Sequence, residues 1–282
     1  MKLVRFGASG AEKPGLIDAA GRVRDVCAHA ADYSGEGFLP AALEKLRQLD
    51  IESLPLAPEG ARIGPPVANV RNFIAIGLNY ADHAEEAGLR IPREPVIFNK
   101  LGNCIVGPND NVMMPRDCQK LDYEVELAFV IGKPVRYVTE EDALSHIAGF
   151  CICNDISERH FQTERSGQWV KGKCCETFGP LGPWLVTPDE IDFDALGLWL
   201  DVNGERRQTG STSTMIFKIP YMLSYVSQFM VLEPGDVVTT GTPPGVALGM
   251  KEPQWLKAGD EVTLGVDKLG TQKQKIVAYS GT

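Results

Sequence analysis

Glu124 and Glu126 stand two residues apart in DYEVELAFVIG, and Asp155 follows in CICNDIS, 29 residues beyond Glu126 (155 − 126). In an extended segment residues i and i+2 project from one face, so both glutamates point into a common space. A third carboxylate alongside would gather up to three negative charges, which stay ionised at low cost only beside a cation. All-oxygen ligands suit a hard divalent ion, which favours Mg2+ or Mn2+ over zinc. The same alternation, with Tyr123, Val125, Leu127 and Phe129 between the acids, also describes a half-buried strand with a solvated acidic edge. The remaining chemistry-bearing residues must decide between the two.

His83 and Glu86 lie in GLNYADHAEE after the apolar run FIAIG. At i and i+3 of a short helix they share a face, and a carboxylate beside an imidazole raises its pKa and fixes its orientation. That pairing suits a general base, although polar residues on any exposed helix look alike. Lys173 sits in WVKGKCCETFGPLGP and Lys100 ends PVIFNK. A lysine in such a place can bind a carboxylate or donate to a developing enolate oxygen. Arg159 and Gln162 follow Asp155 at helical spacing, and arginine suits a two-pronged grip on a carboxylate. The turn Thr239–Gly245, which includes Thr242, offers hydroxyls and backbone N–H groups to an anion, without the lysine or spacing of a phosphate-binding P-loop. Any one of these features alone fits a solvated surface.

The elements that must hold them are mostly short strands: residues 2–6, 16–26 around a turn at 20–21, 73–77, 96–98, 123–131, 149–154, 198–202, 236–240, 261–266 and 275–279. Asn203-Gly204 marks a two-residue hairpin. Residues 38–49 and 218–230 read as helical, and Thr139 caps an acidic first turn at 140–142. Prolines and glycines at 179–183 read as a shaped loop. Residues 54–67, rich in Pro and Gly, form the best linker, which divides the chain into a small N-terminal α/β domain (1–65) and a catalytic domain (66–282). Many strands with few helices imply a β-rich α+β fold built around a sandwich or roll.

The 282 residues, 44% apolar and 23% charged, suit a globular protein with a sizeable core. A net charge of −9 argues against a nucleic-acid partner, while a metal and a few basic residues could still make a pocket receptive to a small anionic substrate. MKLVRFGASG has no signal-type apolar stretch and no run approaches a membrane span, so a cytoplasmic location without membrane partners is expected. Seven cysteines without paired spacing do not form a disulfide scaffold; Cys151 and Cys153 read as buried apolar residues, and packing is also the expectation for Cys174 and Cys175.

In order along residues 70–282, GLNYADHAEE, PVIFNK, GPND, LDYEVELAFVIGK, NDISERHFQ, KGKCCETFGPLGP, NGERRQTGSTSTMIF and TTGTPPGV together resemble the fumarylacetoacetate hydrolase family. The resemblance implies a mixed β-sandwich roll, a homodimer, and Mg2+ or Mn2+ held by Glu124, Glu126 and Asp155. It also implies a His83–Glu86 dyad on a lid helix, Lys173 facing the substrate, and Lys100, Arg159, Gln162 and Thr242 around it. The implied activity is hydrolysis of a C–C bond in a 2,4-dioxo acid, giving pyruvate and a second acid. The subgroup most resembled acts on 2,4-diketo-3-deoxy sugar acids of the fuconate type or on acylpyruvates. Ureidoglycolate lyase, an oxaloacetate-type decarboxylase and a 2-hydroxymuconate-type isomerase are the alternatives on one metal–enolate site; a metal-stabilised binding module is the non-enzymatic one. Glu176, where many members have Asp, and the Cys174-Cys175 pair depart from the family pattern and bear on the subgroup.

Overall fold

The computed structural model describes residues 1–82 and 91–281. Among them, strands far outnumber helices, and a β-rich α+β fold results. The larger sheet runs in the order Val23–Asp25, Lys13–Ile17, Lys2–Phe6, Gly179–Val186, Ile147–Asn154, Val125–Ile131, Val237–Thr239, Phe73–Gly77 and Val96–Lys100. Two short strands, Ile63–Gly64 and Ile105–Val106, attach beside this path. A second sheet orders Glu205–Ser211, Gly197–Val202, Glu261–Val266, Gly270–Val277 and Val112–Met113. Its strands lie against Val125–Ile131 and Ile147–Asn154, so both central strands are covered on two faces.

That covering decides between the two readings of the alternation, against a solvated edge. Every residue of Val125–Ile131 is buried, and Glu124 and Glu126 are only 6% and 2% exposed. Period-two alternation here marks one apolar face and one face that meets buried polar chemistry rather than water.

The N-terminal strands join the same sheet, with Lys2 and Leu3 opposite Val186 and Leu185. Gly179–Val186 is a correction: the segment read as a loop is an eight-residue strand. Its two prolines supply no N–H, and the buried Gln272 side chain donates to the carbonyls of Ile152 and Gly182 (both 2.9 Å) to bridge the irregular pairing. The Gly182–Pro183 peptide bond is cis. Elsewhere local chemistry acts as the residue types dictate. Asn203 and Gly204 take φ of 54° and 79° between paired Val202 and Glu205, and the Thr139 hydroxyl accepts from the Asp142 N–H at 3.3 Å. The helices Pro40–Arg47 and Ile219–Val226 each begin with a proline in the first turn, where its missing N–H costs nothing. No described helix is long and apolar enough to cross a membrane.

Candidate active site and metal centre

Strand register explains how Asp155 meets the two glutamates. Val125 faces Asn154 and Glu126 faces Cys153 in an antiparallel pair, so the position opposite Glu124 is Asp155, whose N–H donates to the Glu124 carbonyl at 2.9 Å. The residues between them only have to turn the chain round. The three carboxylates offer oxygens that lie within 4.8 Å of one another, all buried.

Three cations stand among them. The Lys173 ammonium donates to Glu124 Oε2 and to Asp155 Oδ2, each at 2.6 Å. Arg159 spans two acids, with Nη2 on Glu124 Oε1 (2.6 Å) and Nε on Asp122 Oδ2 (2.8 Å), while Nη1 donates to Gln162 Oε1 (3.0 Å). Lys100 lies 2.7 Å from Asp155 Oδ1 and donates to the Lys173 carbonyl at 2.5 Å. Burial alone would raise the Glu124 pKa, but the charges of Arg159 and Lys173 hold it down at about 2. Glu126 differs. Burial first, then the charges of Asp155 and Glu124, push its carboxyl well above the usual range, and no cation pairs with it among the described residues.

These features fit a hard metal ion. Three cations face four buried acids (Asp122, Glu124, Glu126 and Asp155), which leaves Glu126 uncompensated. Asp155 Oδ1 has no well-aligned hydrogen-bond donor despite its burial, because Lys100 reaches it off-angle. The donor set is entirely oxygen, so the triad could hold a divalent ion.

The glycine turn after Val237–Thr239 serves the same cluster. Gly241 at φ +90° donates its N–H to Glu126 Oε2 at 3.0 Å, so the anion this turn binds is the protein's own carboxylate. Asn79, wholly buried, donates to the Thr240 carbonyl (2.8 Å) and accepts from the Phe217 N–H (2.8 Å), tying the start of GLNYADHAEE to that turn.

Above the charged floor opens a cavity of about 150 Å3, lined by Glu124, Glu126, Arg159, Gln162, Lys173 and Thr242 together with several apolar side chains. The structure therefore brings six of the expected site residues to one space, and Asp155 meets them through Lys173. Lys100 is not brought to this lining: its fully buried side chain lies against Asp155 and the Lys173 backbone. The Thr242 hydroxyl is likewise committed, donating to the Val125 carbonyl (2.9 Å) and accepting from Gln208 (2.8 Å). Glu176 is exposed and lines no part of the cavity. His83 and Glu86 lie outside the described residues.

Two positioning residues carried no role in the sequence reading. The Asp122 carboxylate binds Arg159 on one side and accepts the Ala247 and Leu248 N–H groups (2.8 and 3.1 Å) on the other, joining the charged cluster to the loop at the cavity rim. Gln208 reaches across from the second sheet, accepting the Val125 N–H (3.0 Å) and donating to Thr242 and Pro243. A third acid in LDYEVE was the available signal for Asp122; Gln208, in a polar hairpin strand, left none.

Residues 72–277 match the family model described as fumarylacetoacetate (FAA) hydrolase C-terminal. The chain belongs to the fumarylacetoacetate hydrolase family. A Burkholderia cenocepacia (strain HI2424) relative, whose name stops at a provisional hydrolase, is 53% identical over 98% of both chains. The solved fumarylacetoacetate hydrolase of Exiguobacterium antarcticum is 37% identical, with a TM-score of 0.89 over 99% of this chain and 100% of that one. A 5-carboxymethyl-2-hydroxymuconate delta-isomerase from Mycobacterium smegmatis is 33% identical, with a TM-score of 0.79 over the full length of both. Maleylpyruvate hydrolase from Sphingobium sp. SYK-6, solved with manganese(II) and pyruvate, is 26% identical, with a TM-score of 0.82 over 99% of this chain and 100% of that one. The chain's fold is thus shared with proteins named as hydrolases and isomerases.

Proposed function

We propose that this family member is a Mg2+- or Mn2+-dependent hydrolase that cleaves the C–C bond of a 2,4-dioxo acid. The observation that carries the reading is the convergence of Glu124, Glu126 and Asp155 in a cavity floor where Lys173 stands 2.6 Å from two of them. The manganese(II) and pyruvate held by the related maleylpyruvate hydrolase support both the metal class and the product.

Glu124, Glu126 and Asp155 would hold the ion, which when bound supplies Lewis-acid stabilisation of negative charge on substrate oxygens. The chain's own groups do the rest. Arg159 fixes the rotamer of Glu124 through its second anchor on Asp122, which keeps the ligand face from collapsing. The Gln162 carbonyl is held by Arg159, which turns its amide N–H groups towards a substrate oxygen. His83 would take a proton from the attacking water, the role that the family resemblance implies for it with Glu86. The hydroxyl adds to the distal carbonyl carbon, the adjacent C–C bond breaks, and its electron pair becomes the enolate of pyruvate. That carbon then takes up the proton, so the products are pyruvate and the acid derived from the tail. Lys173, beside the developing charge, steadies it.

Isomerisation of a muconate-like acid needs the same floor without the attacking water, and the likeness to the delta-isomerase favours it as the second reading. Incubation with a panel of 2,4-dioxo acids and 2-hydroxymuconate-type acids under Mg2+ and Mn2+, with products identified by mass, separates the two. Pyruvate plus a second acid is the expected result; a product of unchanged mass overturns hydrolysis.

A further inference from the structure

The cavity wall opposite the charged floor is apolar and built with care. Phe98 and Trp169 meet edge to face, with centroids 5.2 Å apart and planes at 65°. The indole lies on Gly77 at the end of the strand Phe73–Gly77, where a Cβ would come within 2.7 Å of the ring. Only glycine lets Trp169 approach so closely. Leu78, Val246 and Leu248 continue the wall, and the Lys173 ammonium sits 5.1 Å from the Phe98 ring centroid. The wall therefore begins where the charged floor ends.

Several polar groups of the lining are engaged within the floor. Arg159 places Nε on Asp122, Nη2 on Glu124 and Nη1 on Gln162, and the Thr163 hydroxyl donates to the Arg159 carbonyl at 2.8 Å. With Thr242 bound to Val125 and Gln208, the described lining donors left for a ligand include the Gln162 amide, the third Lys173 proton and the Trp169 indole N–H. The first two stand at the floor, so a tail hydroxylated along its length would set most of its hydroxyls against ring faces and aliphatic side chains, which costs binding.

We propose that Phe98, Trp169 and Leu248 form a specificity wall that favours an apolar substrate tail over a polyhydroxylated one. The assignment rests on the dioxo-acid reading for its chemistry, and it turns that reading from sugar acids towards acylpyruvates with small aliphatic or aryl tails.

Binding of phenylpyruvate and of 2-oxogluconate to the full chain with Mn2+ is measured by calorimetry. Phenylpyruvate should bind at least about tenfold tighter, the scale of discrimination that an apolar pocket provides. Trp169→Ala should erase most of that preference, Trp169→Phe should keep most of it, and the half-exposed Leu248→Ser should narrow it without threatening the fold. Equal binding of the two acids, or a preference untouched by Trp169→Ala and Leu248→Ser, overturns the wall. Selective binding of phenylpyruvate alongside failure to cleave benzoylpyruvate overturns the hydrolase reading and leaves the wall standing.

Discussion

Glu124, Glu126 and Asp155 are buried acids, and an ionised carboxylate in a dry interior survives only with compensation. Arg159 and Lys173 compensate Glu124 and part of Asp155; Glu126 is left over, and that imbalance is what calls for a further cation. Glu124→Gln should therefore remove bound metal and activity together, while His83→Ala should keep the metal and lose turnover by about 100-fold or more. Metal content by mass spectrometry beside kcat checks both; full turnover by a metal-free Glu124→Gln protein would refute the roles. The acids were legible because i and i+2 in a strand share a face. Their cationic partners were legible as residue types but not as partners, because contacts across 18 to 49 residues depend on the fold. Lys100 shows the limit: its neighbours in PVIFNK carry no sign that its charge would be spent on Asp155.

The elements deliver these side chains through register and through side-chain amides that replace missing ladder bonds. Gln208 holds the start of Val125–Ile131 and the Thr242 turn at once, fully buried. Gln208→Leu leaves the Val125 N–H and the Pro243 carbonyl without partners, and about 3 kcal/mol of stability should be lost in urea unfolding. A second element has a pH signature. In the turn joining Lys13–Ile17 to Val23–Asp25, Asp18 accepts from the Arg22 N–H and from the Arg22 and Arg24 side chains. Burial works to raise its pKa, but these donors win and lower it from 3.8 to about 2. A depressed carboxylate stabilises the fold above its unfolded pKa and loses that contribution as pH falls through the folded value. The difference in Tm between the native chain and Asp18→Asn should thus be constant above about pH 4 and shrink between 4 and 2; a difference that grows on acidification would contradict the pairing. Hairpins, caps and most strands were readable from local chemistry alone. Gly179–Val186 was not, because its Gly and Pro content signals a loop and only the Gln272 side chain from another strand makes it a ladder.

At the scale of the whole molecule, the charged cluster is enclosed because two sheets close over the strand that carries it. Alternation in DYEVELAFVIG could not distinguish a solvated edge from this enclosure; only the second sheet, assembled from residues 112–113 and 197–277, decides it. The strands of residues 1–65 extend the larger sheet through Lys2–Phe6, a pairing with Gly179–Val186 that no local signal announces. Motif order alone points to the family, while the apolar wall is visible only once Gly77, Phe98 and Trp169 are brought together from three separate segments. Every role assigned to these residues depends on a dication at the meeting point of the three acids. Anomalous diffraction from crystals grown with Mn2+ tests it directly: one strong peak per chain should lie among Glu124, Glu126 and Asp155, within about 2.6 Å of an oxygen from each. A peak elsewhere with the three carboxylates apart, or none at saturating Mn2+, would contradict it.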